Sequence, residues 1–281
     1  MLKIVSTDAA LGADVTGIDL RMDIDEMSFV RIREAFDEFG VLRFRHQNLS
    51  MDELLVFAKK FGPLDLTEPG AYGGKHNIET YPELMIVSNV RKDGNLIGAL
   101  GDGEWAWHCD MANRPAPPWG TFLYAVEVPE TGGATSFASM YAAFEELSDD
   151  LRAHLEGLWA VSDGTYDSAG NPNTLPISSP HPMIARHPYS NRNMLYLGRR
   201  RNGYIEGMLK DESDKVLDEL WDYVINDKFV WVQKWQVGDL VLWDNLATIH
   251  RRDSFDPQSR RVMWRLQLTG RSIAPALNIK R

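Results

Sequence analysis

Hydrophobic and polar residues follow two different periods along the chain, and each period predicts one kind of element. In the segment 25–39, apolar residues recur every three or four positions, which is the spacing of one face of an α-helix. These residues are Phe29, Ile32, Phe36 and Phe39. Gly40 is typical of a residue that ends a helix. The VLRF run that follows it is predicted to be a strand.

A second predicted helix has a clear start and a clear end. Ser50 and Glu53 have the spacing of a capping box, in which the two side chains bond to backbone N–H groups at the start of the helix. The apolar face that follows consists of Leu54, Phe57, Ala58 and Phe61. The Gly-Pro pair at 62–63 predicts the end of this helix. Two more helical patterns cover 141–156 and 212–225.

Strand-like runs dominate the rest of the chain and do not alternate regularly with helices. They cover 3–5, 85–90, 105–110, 120–128, 134–139, 183–187, 193–198, 229–235, 238–245 and 261–270. Many short strands without βα alternation argue against a doubly wound parallel sheet. We therefore predict a mainly β fold with flanking helices, a double-stranded β-helix or jelly roll, formed by residues 1–281 as a single domain.

Two long irregular stretches interrupt this pattern. The stretch 66–82 is rich in glycine and polar residues, and the stretch 162–182 contains four of the 14 prolines. Loops of this length are uncommon in compact domains and are often lids or binding loops. We therefore expect an active-site lid or loop within 162–182 and another at 66–82.

Composition and charge narrow the class of protein. The chain of 281 residues has a net charge of -10, which argues against non-specific binding to nucleic acid or anionic membrane. Its single cysteine excludes an intramolecular disulfide and fits a reducing compartment. The sequence shows neither a signal peptide nor an apolar run of membrane-spanning length. These features predict a cytoplasmic protein.

A candidate metal site lies in the run that ends at Asp110. Residues i and i+2 of a strand share a face, so a strand here would present His108 and Asp110 to one point. His250, which ends the apolar segment VLWDNLATIH, is the best third ligand. Two histidines and one carboxylate leave open positions that suit non-heme Fe(II). An isolated His-x-Asp also occurs by chance, and His250 alone would equally fit a hydrogen-bonded core histidine.

Four segments in order resemble the taurine dioxygenase family, which includes 2,4-dichlorophenoxyacetate dioxygenase. They are LGADVTGIDL with FGVLRFRHQNLSMDELLVFAKKFGPL, then WHCD, then VPETGGATSFASMYAAFEELS, and last GDLVLWDNLATIHRRDSFDPQSRRVMWR. The resemblance covers residues from about 10 to 270. It implies a jelly-roll enzyme that uses Fe(II), 2-oxoglutarate and O2 to hydroxylate a small substrate, releasing succinate and CO2.

The resemblance also implies a role for individual residues. His108, Asp110 and His250 match the iron ligands. Arg261, eleven residues after His250, matches the arginine that pairs with the distal carboxylate of 2-oxoglutarate, and Thr135 matches the threonine that supports the same carboxylate. Arg265 matches an arginine near the acidic group of anionic substrates. On a strand, Arg261 and Arg265 would point to one side, whereas Arg260 would face solvent.

The substrate is not identified by the sequence. Tyr72, Asn89 and Glu104 are the candidate pocket residues, and Glu104 together with Arg265 would favour a zwitterionic or amine-bearing substrate. Three alternatives stay open at this point: a desaturation or carbon–heteroatom cleavage outcome, a metal-dependent hydrolase, and a non-catalytic jelly-roll binding module. A small-molecule substrate is expected, and a homo-oligomer is an open possibility.

Overall fold

The computed structural model describes residues 1–67, 77–101, 106–166 and 176–276. The helices are α1 (Glu26–Phe39), α2 (Met51–Lys59), α3 (Met140–Glu145), α4 (Asp149–Leu155) and α5 (Lys210–Val224). The strands are β1 (Lys3–Ser6), β2 (Ala13–Thr16), β3 (Val41–Phe44), β4 (Asn77–Ile78), β5 (Tyr81–Ser88), β6 (Arg91–Lys92), β7 (Asn95–Leu96), β8 (Ala99–Leu100), β9 (Gly120–Glu127), β10 (Thr135–Ser139), β11 (Trp159–Ser162), β12 (Ser179–Pro182), β13 (Ile184–Arg186), β14 (Asn193–Leu195), β15 (Tyr204–Ile205), β16 (Val230–Gln233), β17 (Leu240–Asp244), β18 (Thr248–Arg252), β19 (Val262–Leu268) and β20 (Ala274–Pro275).

The first two helices begin where their sequences predict. Helix α1 also ends at the predicted residue, whereas α2 ends at Lys59, three residues before the Gly-Pro pair that predicts its end. The Asp25 side chain accepts the Ser28 N–H at the start of α1, and Gly40 after its end has a φ of 67°, a left-handed conformation that glycine adopts without strain. At the start of α2, Ser50 and Glu53 form the predicted capping box. In both helices, a neighbouring side chain therefore accepts a hydrogen bond from a backbone N–H group of the first turn, without any tertiary contact.

Two facing sheets form the jelly roll. Within the described residues, the larger sheet has the strand order β1-β2-β3-β17-β9-β19-β5-β4, with β8 also paired to β5, and the smaller sheet has the order β16-β10-β18. Most of the pairings in the two sheets are antiparallel. The mainly β fold with flanking helices is therefore confirmed.

Strand alternation divides the apolar residues of the larger sheet between two cores. On β17, Leu240 and Leu242 pack in the core that also contains the helix residues Phe36 and Phe57. The intervening residues Val241 and Trp243 pack in a second core, which includes Phe137 and Trp231 of the smaller sheet. The second core is thus the space between the sheets, and side chains on this inner face are the ones that can line a site there.

Two predicted elements differ in the structure. The single helix predicted over 141–156 is two helices, α3 and α4, because the Ser148 side chain accepts the Leu151 N–H and starts a new helix. The strand predicted over 105–110 is also wrong for the described part, 106–110, which makes only isolated bridges at His108. The central residues of both predicted lid loops, 68–76 and 167–175, lie outside the described residues.

None of the helices in the described part of the chain is long and apolar enough to cross a membrane.

Candidate metal and co-substrate site

The loop 108–110 replaces the predicted strand but keeps the predicted alternation of side chains. His108 exchanges two backbone hydrogen bonds with His250, of 3.0 and 2.8 Å, so the two histidines lie side by side. The Cys109 side chain points away from them, and its Sγ donates to the Tyr196 hydroxyl at 3.2 Å. Burial raises the pKa of Cys109 to about 12, so the thiol stays protonated. Asp110 then turns back toward the histidines.

Three potential ligand atoms converge at this point. One atom from each of His108, Asp110 and His250 lies within 4.8 Å of the others. The Nε2 atoms of His108 and His250 are 3.7 and 4.0 Å from Asp110 Oδ1. His108 Nδ1 is 2.8 Å from the Ala106 carbonyl, so it carries the proton and leaves the Nε2 lone pair facing the other two residues.

Buried polar groups hold the Asp110 carboxylate in its ionised form. Thr121 Oγ1 and Gln267 Nε2 donate to Oδ2 at 3.3 and 3.1 Å, and Arg265 Nη1 is 3.4 Å from Oδ1. Burial alone would raise the pKa of Asp110, but Arg265 and the two histidines outweigh it and hold the pKa well below its usual value. A carboxylate with one oxygen held by the protein presents the other to the histidines.

His250 is neutral in this environment. It is buried, and its ring lies 6.0 Å from the Phe137 ring and 5.0 Å from the Trp243 ring, both in the core between the sheets. Burial and the neighbouring His108 lower its pKa to about 3. A neutral imidazole is the form that binds a metal.

The donor set fits ferrous iron. Two imidazoles, of which that of His250 is neutral, and one carboxylate converge here, and this facial arrangement leaves positions open for other ligands. Without a metal, bringing the largely buried ligand atoms of the three residues together at one point would be costly. The residues present therefore fit the group that their pattern predicts.

Arg261 provides a second observation, independent of the triad. Its side chain is 3% exposed, and its Nε has no hydrogen-bond partner in the described part of the chain. None of the described ion pairs includes it. Burial, together with the positive charge of Arg252, lowers the pKa of Arg261 to about 9, so it is still protonated at neutral pH. A buried cation without an anion is costly, and a carboxylate ligand would relieve that cost.

Thr135 lies on the same inner face as His250. On β10 it pairs in register with Arg252, while Phe137 pairs with His250. The Trp235 indole N–H donates to the Thr135 hydroxyl oxygen at 2.9 Å. An indole N–H is only a donor, so the Thr135 hydroxyl accepts this bond and keeps its own proton for another acceptor.

The other predicted pocket residues have different outcomes. Both donors of the Asn89 amide are used on the Pro257 and Ser259 carbonyls, and its oxygen accepts the Arg261 N–H at 3.0 Å. Asn89 therefore holds the segment that carries Arg261, and the substrate contact predicted for it from the sequence stays a prediction. Tyr72 and Glu104 lie outside the described residues. Arg260 is exposed and paired with Glu127, as expected for a solvent-facing residue.

Sequence reasoning missed three residues that contact Asp110. Gln267 and Thr121 hold its carboxylate, and the side chain of Asn245 hydrogen-bonds to its backbone. Gln267 follows Arg265 by two positions on β19, so strand alternation could have indicated it. Thr121 and Asn245 come from other strands and turns, and no local pattern connects them with Asp110.

Comparison with known proteins identifies the family of the chain. The family described as "Taurine catabolism dioxygenase TauD, TfdA family" matches residues 4–267. The chain is 36% identical over 276 residues to pentalenolactone F synthase from Streptomyces arenae, covering 91% of each chain. It is 34% identical over 278 residues to the alpha-ketoglutarate-dependent 2,4-dichlorophenoxyacetate dioxygenase of Cupriavidus pinatubonensis, covering 90% of this chain and 92% of the relative.

Solved structures show the same relationship. The crystal structure of AAD-2 in complex with Mn(II) and N-oxalylglycine superposes with a TM-score of 0.79 at 27% identity, covering 99% of this chain and 100% of that one. The family match covers far more than half of the chain, and relatives named for (S)-phenoxypropionate and for 2,4-dichlorophenoxyacetate are both named as alpha-ketoglutarate dioxygenases. The chain therefore belongs to the TauD/TfdA family and is an oxidoreductase, a dioxygenase that depends on Fe(II) and 2-oxoglutarate and oxidises a small substrate.

Proposed function

We propose that the chain hydroxylates a small organic acid, with Fe(II) held by His108, Asp110 and His250. The observation that carries this assignment is the convergence of one atom from each residue within 4.8 Å. The ionised carboxylate and the neutral His250 support it, because these are the protonation states of metal ligands.

The co-substrate site in this proposal consists of Arg261 and Thr135. The buried Arg261 guanidinium would pair with the distal carboxylate of 2-oxoglutarate, and a planar guanidinium suits a two-point contact of this kind. The Thr135 hydroxyl, whose oxygen accepts the Trp235 N–H, would donate its proton to the same carboxylate. The register of β10 and β18 supports a shared role for Thr135 and Arg261. Thr135 lies opposite Arg252 in this register, and Arg252 is the charged neighbour of Arg261.

The overall reaction converts substrate, 2-oxoglutarate and O2 into hydroxylated substrate, succinate and CO2. The iron with its co-substrate supplies the oxidising chemistry that amino-acid side chains lack. Asp110 and the histidines fix the position of the reaction, and the Thr121 and Gln267 contacts keep one Asp110 oxygen turned away from it. Phe137 and Trp243 beside His250 keep water from this side of the site.

An acidic substrate is favoured by the position of Arg265. Its Nη1 lies 3.4 Å from Asp110 Oδ1, and its side chain is 7% exposed, so a positive charge lies beside the point where substrate reacts. Two relatives are named for aryloxy acids, 2,4-dichlorophenoxyacetate and (S)-phenoxypropionate. The predicted contribution of Glu104 and Tyr72 to the pocket remains a prediction, as does the preference for an amine that Glu104 suggested.

Succinate release tests the assignment. The full chain, loaded anaerobically with Fe(II) and 2-oxoglutarate, is given aryloxy acids, terpenoid acids, sulfonates, amino acids and phosphonates in the presence of O2. We expect substrate-dependent succinate with an acid, and a product heavier by one oxygen. His108→Ala and Asp110→Ala should abolish both. Full turnover by either variant contradicts the metal assignment, whereas a product lacking two hydrogens identifies the desaturation alternative.

A matched pair of arginine variants tests the co-substrate site. Arg261→Leu should raise the KM for 2-oxoglutarate by about tenfold or more, because a charge-assisted pair is lost. Arg260→Leu is the control, because Arg260 is adjacent in sequence but exposed and paired with Glu127. It should change that KM by less than about threefold. Equal effects of the two variants would remove Arg261 from the site.

We also propose a cytoplasmic location without nucleic-acid or membrane partners. The net charge of -10 and a single, buried cysteine support this. Cell fractionation with an antibody to the full chain tests the location, and size-exclusion chromatography with light scattering determines whether the chain is a homo-oligomer.

A further inference from the structure

We infer that Asn245 is a positioning residue for the metal: its side chain takes the place of a neighbouring β-strand for Asp110. This inference rests on the proposed role of Asp110 as an iron ligand. Residues 106–110 form a loop, although the sequence predicts a strand there. A metal ligand in a loop needs something other than a β-ladder to hold its backbone.

The Asn245 amide supplies both halves of a ladder pairing. Its Oδ1 accepts the Asp110 N–H at 2.7 Å, and its Nδ2 donates to the Asp110 carbonyl at 3.0 Å. A residue in a β-sheet receives the same two contacts, one N–H acceptor and one C=O donor, from a partner strand. A single side chain therefore satisfies both backbone groups of Asp110.

The amide is itself rigidly held. Asn245 is fully buried, its Nδ2 also donates to the Pro118 carbonyl at 2.8 Å, and its own N–H donates to the Trp119 carbonyl at 2.9 Å. These contacts fix the side chain relative to the start of β9, where Thr121 reaches the Asp110 carboxylate. The backbone and the carboxylate of Asp110 are thus positioned from the same part of the larger sheet.

The location of Asn245 in the chain adds a second link. It lies between β17 of the larger sheet and β18 of the smaller sheet, five residues before His250. His108 is tied to His250 by two backbone hydrogen bonds. The turn between β17 and β18 therefore links the segments that carry all three proposed ligands. Removing the Asn245 amide would release Asp110 but would leave the backbone hydrogen bonds between the two histidines in place.

Metal affinity, measured without turnover, tests this inference. Asn245→Leu keeps the branching and the number of heavy atoms of the side chain and removes all of the amide contacts. Free Mn(II) is titrated into the full chain without co-substrate and followed by electron paramagnetic resonance. We expect Asn245→Leu to weaken Mn(II) binding by about 10- to 100-fold, the usual effect of losing a residue that orients a ligand. At saturation, the spectrum of bound Mn(II) should differ from wild type, because Asp110 is no longer fixed.

Asn89→Leu is the matched control. It removes another amide that holds a backbone segment, but the segment leads to Arg261 and not to Asp110. Mn(II) affinity of this variant should stay within about threefold of wild type, while its affinity for 2-oxoglutarate should fall. A purely structural role of Asn245 predicts lower thermal stability with unchanged Mn(II) affinity and an unchanged spectrum, which would overturn the inference.

Two further arms keep the result interpretable. If Asn245→Leu does not fold, Asn245→Ser is used, since a hydroxyl can serve only part of the pairing, and unchanged Mn(II) affinity in that variant also overturns the inference. His108→Ala separates this result from the proposed function. If wild type shows no Mn(II) site that depends on His108, the metal assignment fails. If that site exists and Asn245→Leu retains it fully, the role of Asn245 fails alone.

Discussion

At the scale of single residues, buried charge determines the chemistry of the site. Arg261 and Arg265 have side chains that are 3% and 7% exposed, and only Arg265 has a described carboxylate beside it, that of Asp110. Arg261 has Arg252 as its charged neighbour instead. Because two positive charges in a buried space repel each other, this corner of the site favours an anion.

The pH dependence of co-substrate binding follows from this arrangement. Burial and Arg252 lower the pKa of Arg261 to about 9. The protonated form binds a carboxylate and is lost as pH rises through this value, so the KM for 2-oxoglutarate should increase above about pH 9. Succinate release measured from about pH 7 to about pH 10 gives this profile.

Arg261→Lys is the comparison for that profile. A lysine amine has a lower pKa than a guanidinium, and burial lowers that pKa further. The increase in KM should therefore begin at a lower pH in Arg261→Lys than in wild type. A wild-type KM that stays flat to about pH 10, or identical profiles for the two proteins, would show that Arg261 does not carry the binding charge.

At the scale of elements, local pattern and tertiary contact account for different parts of the structure. The helices α1 and α2 follow from periodicity and capping residues that stand in the sequence itself. Strands β9, β17 and β19 follow from apolar runs. On β19, the neighbouring residues Met263 and Trp264 lie in different packing environments, as side chains that alternate along a strand do. These elements were predictable because their determinants are neighbours along the chain.

Elements that depend on distant contacts were not predictable in this way. The run 105–110 is apolar enough for a strand, but Asp110 is held by a side chain 135 residues away, and Met111 after it has a φ of 51°. Asn89 is polar and follows a strand, as pocket residues often do, yet its partners lie at 257–261. Ser148 is a residue type that can begin a helix, but the sequence on both sides of it favours a helix. The boundary between α3 and α4 was therefore not predicted.

The capping box of α2 offers a direct measurement at this scale. Ser50→Ala removes the acceptor of the Glu53 N–H and should lower the free energy of unfolding by about 1 kcal/mol. Ser6→Ala is the control, since the one described hydrogen bond of its exposed side chain goes to the carbonyl of the next residue. Its effect should lie within about 0.5 kcal/mol. Urea unfolding followed by circular dichroism gives both values, and equal losses would contradict the role of the cap.

At the scale of the whole molecule, the site joins two layers whose cores do not need a metal. Phe36 and Phe57 pack in one core and Trp243 and Phe137 in the other, and apolar burial of this extent supports a fold by itself. The proposed ligands come from the smaller sheet, through His250, and from the loop paired with it. A metal therefore binds a fold that already exists.

Removal of metal should accordingly leave the protein folded. After EDTA treatment, we expect an unchanged far-ultraviolet circular dichroism spectrum. Mn(II) should then raise the Tm, and 2-oxoglutarate should raise it further, since both bind only the native state. Both increases should disappear in His108→Ala. Unfolding of the wild-type chain on loss of metal would instead identify a structural metal site.

Cys109 stands between two proposed iron ligands, yet its sulfur faces Tyr196 on the opposite side of the loop. A thiolate at this position would add a soft donor and shift the preference of the site toward zinc or copper(I). The pKa of about 12 keeps the sulfur protonated, and a buried thiol is also a poor target for oxidants. The orientation of one side chain thus protects the site both from competing metals and from damage by its own oxygen chemistry.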